Sequence, residues 1–145
     1  MGEQEREDYL ALFQERSGRS LIGFCVLGSI FSEGIDLTGN RLIGVFVVGT
    51  GLPLLCKERE IIREYFDTHG KKGYDYAYRY PGMNKVLQAA GRVIRTPEDV
   101  GFVVLMDYRF LWRENQNLLP QEWESFYGVN LNNYSAVLQQ FKFTP

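Results

Sequence analysis

The stretch Met83 to Thr96, MNKVLQAAGRVIRT, decides how the rest of the chain is read. A helix over it turns about 100° per residue. That sets Gln88, Gly91, Arg92 and Arg95 on one stripe and Met83, Val86, Leu87, Ala89, Ala90, Val93 and Ile94 on the opposite arc, the division of an amphipathic helix docked on a core. A charged helix face ordinarily just meets water, but two features set this one apart. Gly91 within a helix costs about 1 kcal/mol against Ala, so something is expected to approach the backbone there. No acidic residue occurs from Tyr76 through Pro97, a window that holds Arg79, Lys85, Arg92 and Arg95. Without a carboxylate three or four residues away, these arginines point to an anion, and the guanidinium fork suits phosphate oxygens.

Working outward, Leu54 to His69 reads as a charged amphipathic helix with Leu55, Ile62, Tyr65 and Phe66 turned inward, and Gly70 to Tyr80 as an irregular, tyrosine-rich connection. Leu21 to Leu27 (LIGFCVL) and Leu42 to Val48 are apolar on both faces, the pattern of strands in a buried parallel sheet. Phe102 to Asp107 supplies a third strand. Glu3 to Arg16 reads as a helix ended by Gly18, and Gln121 to Phe126 and Asn132 to Phe141 as helical pieces, with Trp112, Trp123 and Phe126 assigned to packing. Alternating helices and strands specify an α/β fold with a mostly parallel sheet. Ligands of such sheets gather at the carboxyl ends of the strands. That edge here comprises the Gly28 to Asp36 loop, the Gly49 to Pro53 turn and the Asp107 to Phe110 segment. Three strands are few for this architecture, so the domain is expected to be incomplete on its N-terminal side.

With 145 residues, 45% hydrophobic and 14% aromatic, the chain can bury one core and reads as one soluble domain. A net charge of −2 argues against holding nucleic acid by a bulk positive field and leaves that task to a local patch. No apolar run approaches the roughly 20 residues of a membrane helix. The opening MGEQEREDY has neither the apolar stretch of a signal peptide nor a myristoylation pattern. Cys25 and Cys56 lack paired spacing and are expected to be reduced thiols in a cytoplasmic protein, with no metal site. The lone His69, next to Gly70, is expected to serve as a helix cap or surface residue.

The sequence Gly49-Thr50-Gly51-Leu52-Pro53-Leu54 begins like a dinucleotide-binding loop and then fails at Pro53 and Leu54. No glycine-rich loop ends in Lys-Ser or Lys-Thr, so the chain has no phosphate cradle of its own, and Ser32 does not sit in a nucleophile elbow. The loop Ser32, Glu33, Gly34, Ile35, Asp36 has two readings of equal weight. It can offer backbone N–H groups to a phosphate and a carboxylate to a hydroxyl or an arginine, or Ser32 or Asp36 can cap a helix.

SEGID at Ser32 to Asp36, followed about fifty residues later by QAAGRVIR at Gln88 to Arg95, resembles motifs V and VI of the second RecA-like domain of superfamily 2 DNA helicases. The match is to the Rad3-like branch that holds the xeroderma pigmentosum group D DNA-repair helicase and DinG. The resemblance extends to the Gly51-Leu52-Pro53 turn before a charged helix with Arg59, and to Asp-Tyr-Arg-Phe at Asp107 to Phe110. It implies a three-layer, P-loop NTPase-like domain over residues 1–145. It further implies that Arg95 is the finger reaching the γ-phosphate of ATP on a neighbouring domain, with Arg92 beside it and Gln88 and Gly91 at the nucleotide. Asp36 and Gly34 would meet ATP or an arginine of motif VI, and Ser32 and Glu33 would lie on the DNA side of motif V. ATP and Mg²⁺ would be held mainly by the first helicase domain of the same parent, which would also carry any iron-sulfur cluster. Single-stranded DNA would be the other partner, and an unpaired sheet edge would let the isolated chain self-associate. The resemblance thus implies an ATP-dependent helicase as parent, with this chain inactive alone. The rival reading is a non-catalytic adaptor that kept the fold.

Overall fold

The computed structural model describes residues 2–13, 20–29, 37, 41–94, 99–123 and 125–140. Among them, two strands rich in β-branched and aromatic residues, β1 (Gly44–Val48) and β2 (Phe102–Met106), pair in parallel from Gly44 opposite Phe102 to Val48 opposite Met106. The helices are α1 (Glu3–Ala11), α2 (Lys57–Thr68), α3 (Tyr80–Ala90), α4 (Arg113–Gln116) and α5 (Tyr134–Gln140). The α/β class and the parallel pairing agree with the sequence.

Strand alternation sends Val45 and Val47 to one face and Phe46 and Val48 to the other. On the first face Val47, Met83, Val86, Ala89 and Phe110 form the buried core, with Leu27, Val45, Leu105, Leu118 and Leu119 around it. The apolar arc read for α3 is therefore the docked one. On the second face Phe46 is 60% exposed, Val48 77% and Met106 53%, so the expectation of strands buried on both faces is corrected. Leu21 to Leu27 is not a strand either: residues 21–26 form no ladder, and Phe24 is 92% exposed. An apolar run becomes a strand only where a neighbour accepts its N–H groups, and no described strand lies beside it.

The connection read as irregular is in fact helical. Ahead of α3 runs a π turn, Asp75–Arg79, and its cause is Pro81. A proline inside a helix has no N–H for the carbonyl four residues earlier, and its ring crowds that carbonyl. A wider turn relieves the crowding, and Arg59 of α2 donates from Nη1 to the Ala77 carbonyl at 2.6 Å. The rest of α2 grips the same turn: Phe66 stacks on Tyr76 at 3.9 Å between ring centroids, Asp67 accepts from the Gly73 N–H at 2.8 Å, and the Tyr78 hydroxyl donates to Glu60. Leu55, Ile62 and Tyr65, expected inward, are exposed, because α2 is held by these polar and aromatic contacts and not by a buried apolar stripe.

At the carboxyl end of β1 the chain turns through Gly49 (φ 82°) and Gly51 (φ 65°), a region costly for any residue with a Cβ. The turn lies backbone to backbone on α3: a Cβ on Gly82 would stand 2.7 Å from the Thr50 carbonyl oxygen, and one on Gly51 2.7 Å from that of Gly82. This contact fixes the start of α3 against the strand edge.

Candidate nucleotide and nucleic-acid face

The stripe that opened the sequence reading is shorter than expected. α3 ends at Ala90, and Gly91 is its C-cap at φ −65°, ψ −3°. The Gly91 N–H still bonds the Leu87 carbonyl at 2.8 Å, after which Arg92 and Val93 turn tightly onto the Ala89 and Ala90 carbonyls at 3.2 and 3.0 Å. Among the described residues nothing else comes close to Gly91: a Cβ there would meet only the Leu87 and Gln88 carbonyls of its own helix. The glycine marks the helix end, and Val93, 5% exposed, pulls the turn into the core. Gln88 is exposed and Arg92 half-buried, with an interaction of its own. Arg95 lies outside the described residues.

Ser32, Glu33, Gly34 and Asp36 also lie outside the described residues, but both ends of their loop are anchored. Leu27 packs on the core and Leu37 is 6% exposed. Gly28 turns at φ +81° directly under Lys85 of α3; a Cβ there would lie 3.1 Å from Lys85 Cδ and 3.3 Å from Nζ. Lys85 stands one turn before Gln88, so the entrance of the SEGID loop is brought to the polar side of α3.

Two arginines that the sequence leaves open are paired in the structure. Arg79 is paired with Asp75 at 2.9 Å (i, i+4), both side chains largely buried. That spacing was legible, but Asp75 falls one residue before the acid-free window. After β2, Asp107 N-caps the 3₁₀ turn Tyr108–Leu111 by accepting the Arg109 N–H at 2.9 Å, and it grips the Arg109 guanidinium at Nε (2.9 Å) and Nη2 (2.6 Å). The Arg109 hydrogen bond holds the Asp107 carboxyl below the ordinary carboxylate range, and Asp107 raises Arg109 in turn. Arg79, Arg109, Thr50 and Asn115 line a cleft of about 100 Å³, and Thr50 Oγ1 and Asn115 Oδ1 are buried without a hydrogen-bond partner among the described residues. The cleft is rimmed by Tyr74 and Trp112; Trp112, 44% exposed, packs edge-on against Tyr108 with ring centroids 5.7 Å apart, and Phe126 is 56% exposed.

This geometry decides what the strand edge can hold. The Gly49-to-Pro53 turn is spent on Gly82, which removes it as a phosphate loop. Asp75 and Asp107 are neutralised by Arg79 and Arg109, and no described group of His, Cys, Asp and Glu could hold a metal ion. Cys25 and Cys56 are free and exposed, and His69 is the C-cap of α2, its Nδ1 2.6 Å from the Tyr65 carbonyl.

The described residues thus form a parallel α/β unit with Gln88 in the last turn of α3 and Arg92 just beyond its end. The chain belongs to the helicase C-terminal domain family, whose model matches residues 1–126. It is 29% identical over 144 residues to the regulator of telomere elongation helicase 1 homolog of Oryza sativa subsp. japonica, covering 92% of this chain and 14% of that protein. To the ATP-dependent DNA helicase DinG of Photobacterium profundum it is 34% identical over 77% of this chain and 16% of that one. To the general transcription and DNA repair factor IIH helicase subunit XPD of Arabidopsis thaliana it is 32% identical over 71% of this chain and 14% of that one. These relatives place it in the DinG and XPD branch. The chain spans only about a seventh of the length of such relatives. Among the described residues no helix is long and apolar enough to cross a membrane.

Proposed function

We propose that this chain is the second RecA-like motor domain of an ATP-dependent DNA helicase that acts in the cytoplasm. In this reading Arg95 is the finger on the γ-phosphate of ATP bound by the partner domain, Arg92 steadies the same phosphates, and Gln88 and Gly91 border the nucleotide. Asp36 and Gly34 report nucleotide state from the motif V loop, and Ser32 and Glu33 pass it to single-stranded DNA. The observation that carries the reading is the family match over residues 1–126, a range that includes both Ser32 to Asp36 and Gln88 to Arg95, supported by Lys85 of the same helix lying against Gly28, just ahead of the first stretch. The chemistry is electrostatic: phosphoryl transfer spreads charge over the γ-oxygens, and a preorganised arginine there accelerates it by on the order of 10³ to 10⁵. Closure of this lobe on nucleotide and its release after hydrolysis would step the enzyme along the strand.

Two measurements together test the reading. The full-length protein should hydrolyse ATP faster when single-stranded DNA is added. Calorimetric titration of ATP into the 145-residue chain should show nothing tighter than roughly millimolar, about −4 kcal/mol. DNA-independent turnover by the parent, or micromolar binding by the chain, would contradict it.

A further inference from the structure

The reading above leaves unused the cleft at the carboxyl ends of β1 and β2, the edge where ligands of parallel sheets bind. Two of its lining residues, Thr50 and Asn115, are each 4% exposed, and each keeps one side-chain oxygen without a hydrogen-bond partner among the described residues. An unpaired buried polar atom costs stability, and two in one lining are exceptional in a folded protein. Both residues are fixed by the fold. Thr50 sits in the turn that lies on Gly82. Asn115 donates from Nδ2 to the Arg109 carbonyl at 2.8 Å, and that carbonyl also accepts the Trp112 N–H at 3.1 Å. The spare groups are thus an acceptor, Asn115 Oδ1, and the Thr50 hydroxyl, which donates or accepts. The guanidinium groups in the same lining are already answered: Arg79 by Asp75 at 2.9 Å, and Arg109 by Asp107 through Nε and Nη2. Walls whose charge is neutralised suit an uncharged ligand better than a phosphate. Tyr74 and Trp112, both partly exposed, rim the cleft, and the Arg79 guanidinium lies 5.9 Å from the Tyr74 ring centroid. Flat faces around an acceptor and a hydroxyl call for a flat, neutral ring with an N–H on its edge.

We infer that this cleft is a nucleobase site, with the base stacked on Trp112 and its edge donating to Asn115 Oδ1 beside the Thr50 hydroxyl. The inference rests on the functional reading above, which supplies two sources of the ring: a base of the single strand and the adenine of ATP. An aromatic side chain stacks on any base, so such a site grips a strand without reading its sequence.

The test uses the full-length protein with Thr50→Val, which keeps the shape and removes the hydroxyl, and Trp112→Leu, which removes the ring. The probes are a fluorescent oligothymidylate, an abasic strand with the same number of phosphates, and ATP in steady-state turnover. If the base is the strand's, wild type prefers the base-bearing strand. Trp112→Leu then lowers that preference roughly ten-fold, Thr50→Val lowers it several-fold, and both variants bind the abasic strand as wild type does. If the base is that of ATP, KM for ATP rises several-fold in both variants and the strand preference is unchanged. In either case Thr50→Val melts at or above the wild-type temperature, because the folded chain loses no hydrogen bond. Equal losses on both strands, or a lower melting temperature in Thr50→Val, mean that the residues serve the fold and overturn the proposal. Wild-type protein that binds the strand and turns over ATP while both variants match it discredits the cleft alone. Wild-type protein that does neither discredits the functional reading itself.

Discussion

Tyr78 sits 2% exposed under α2 and donates to Glu60. That hydrogen bond first, and burial second, push its phenol up to about 12 from an ordinary value of 10.0. A group whose folded value is raised lends its full stability below the unfolded value and loses it as pH climbs through the folded one. The clasp between α2 and the π turn should therefore be intact up to pH 10 and weaken towards pH 12. Thermal melts across that range should show wild type losing more stability than Tyr78→Phe; parallel losses would remove Tyr78 from the clasp. The acid-free window is legible in the sequence, but Asp75 lies one residue ahead of it. Arg79 therefore reads as unpaired in the sequence when it is committed to holding the π turn.

The legible elements were those with local signals. α2 and α3 carry helical periodicity, β1 and β2 are β-branched runs bounded by glycine, and His69 with Gly70 marks a helix end. What escaped were features decided by partners distant in the chain. LIGFCVL has the composition of a strand, yet a strand exists only with a neighbour to pair with. The π turn follows from Pro81 and needs Arg59, eighteen residues earlier than the carbonyl it serves. The contact between the β1 turn and α3 depends on the absence of a side chain at Gly82, and it yields a prediction with a sign. Gly82→Ala improves helix propensity by roughly 1 kcal/mol but sets a methyl 2.7 Å from the Thr50 carbonyl and 3.1 Å from the Leu52 nitrogen. Neither backbone atom can yield as a flexible side chain would, and forced overpacking typically costs about 1 to 3 kcal/mol. A net loss of about 1 kcal/mol in denaturant unfolding is expected, and a gain would mean that the turn does not bear on the helix.

At the scale of the whole molecule, the fold presents Gln88 and Arg92 at one end of a docked helix, with Leu27 packed on the core and Leu37 buried. The sheet's other face, with Phe46, Val48 and Met106, stays open. Among the described residues no turn is left open as a phosphate loop, and Asp75 and Asp107 are committed to Arg79 and Arg109. Under the proposed function, Arg95 would reach across to a nucleotide held by another domain. The most direct test is ATP turnover and single-strand affinity of the full-length protein carrying Arg95→Ala. The account predicts a fall in kcat on the order of 10³ with strand affinity within a few-fold of wild type; turnover left unchanged would contradict it.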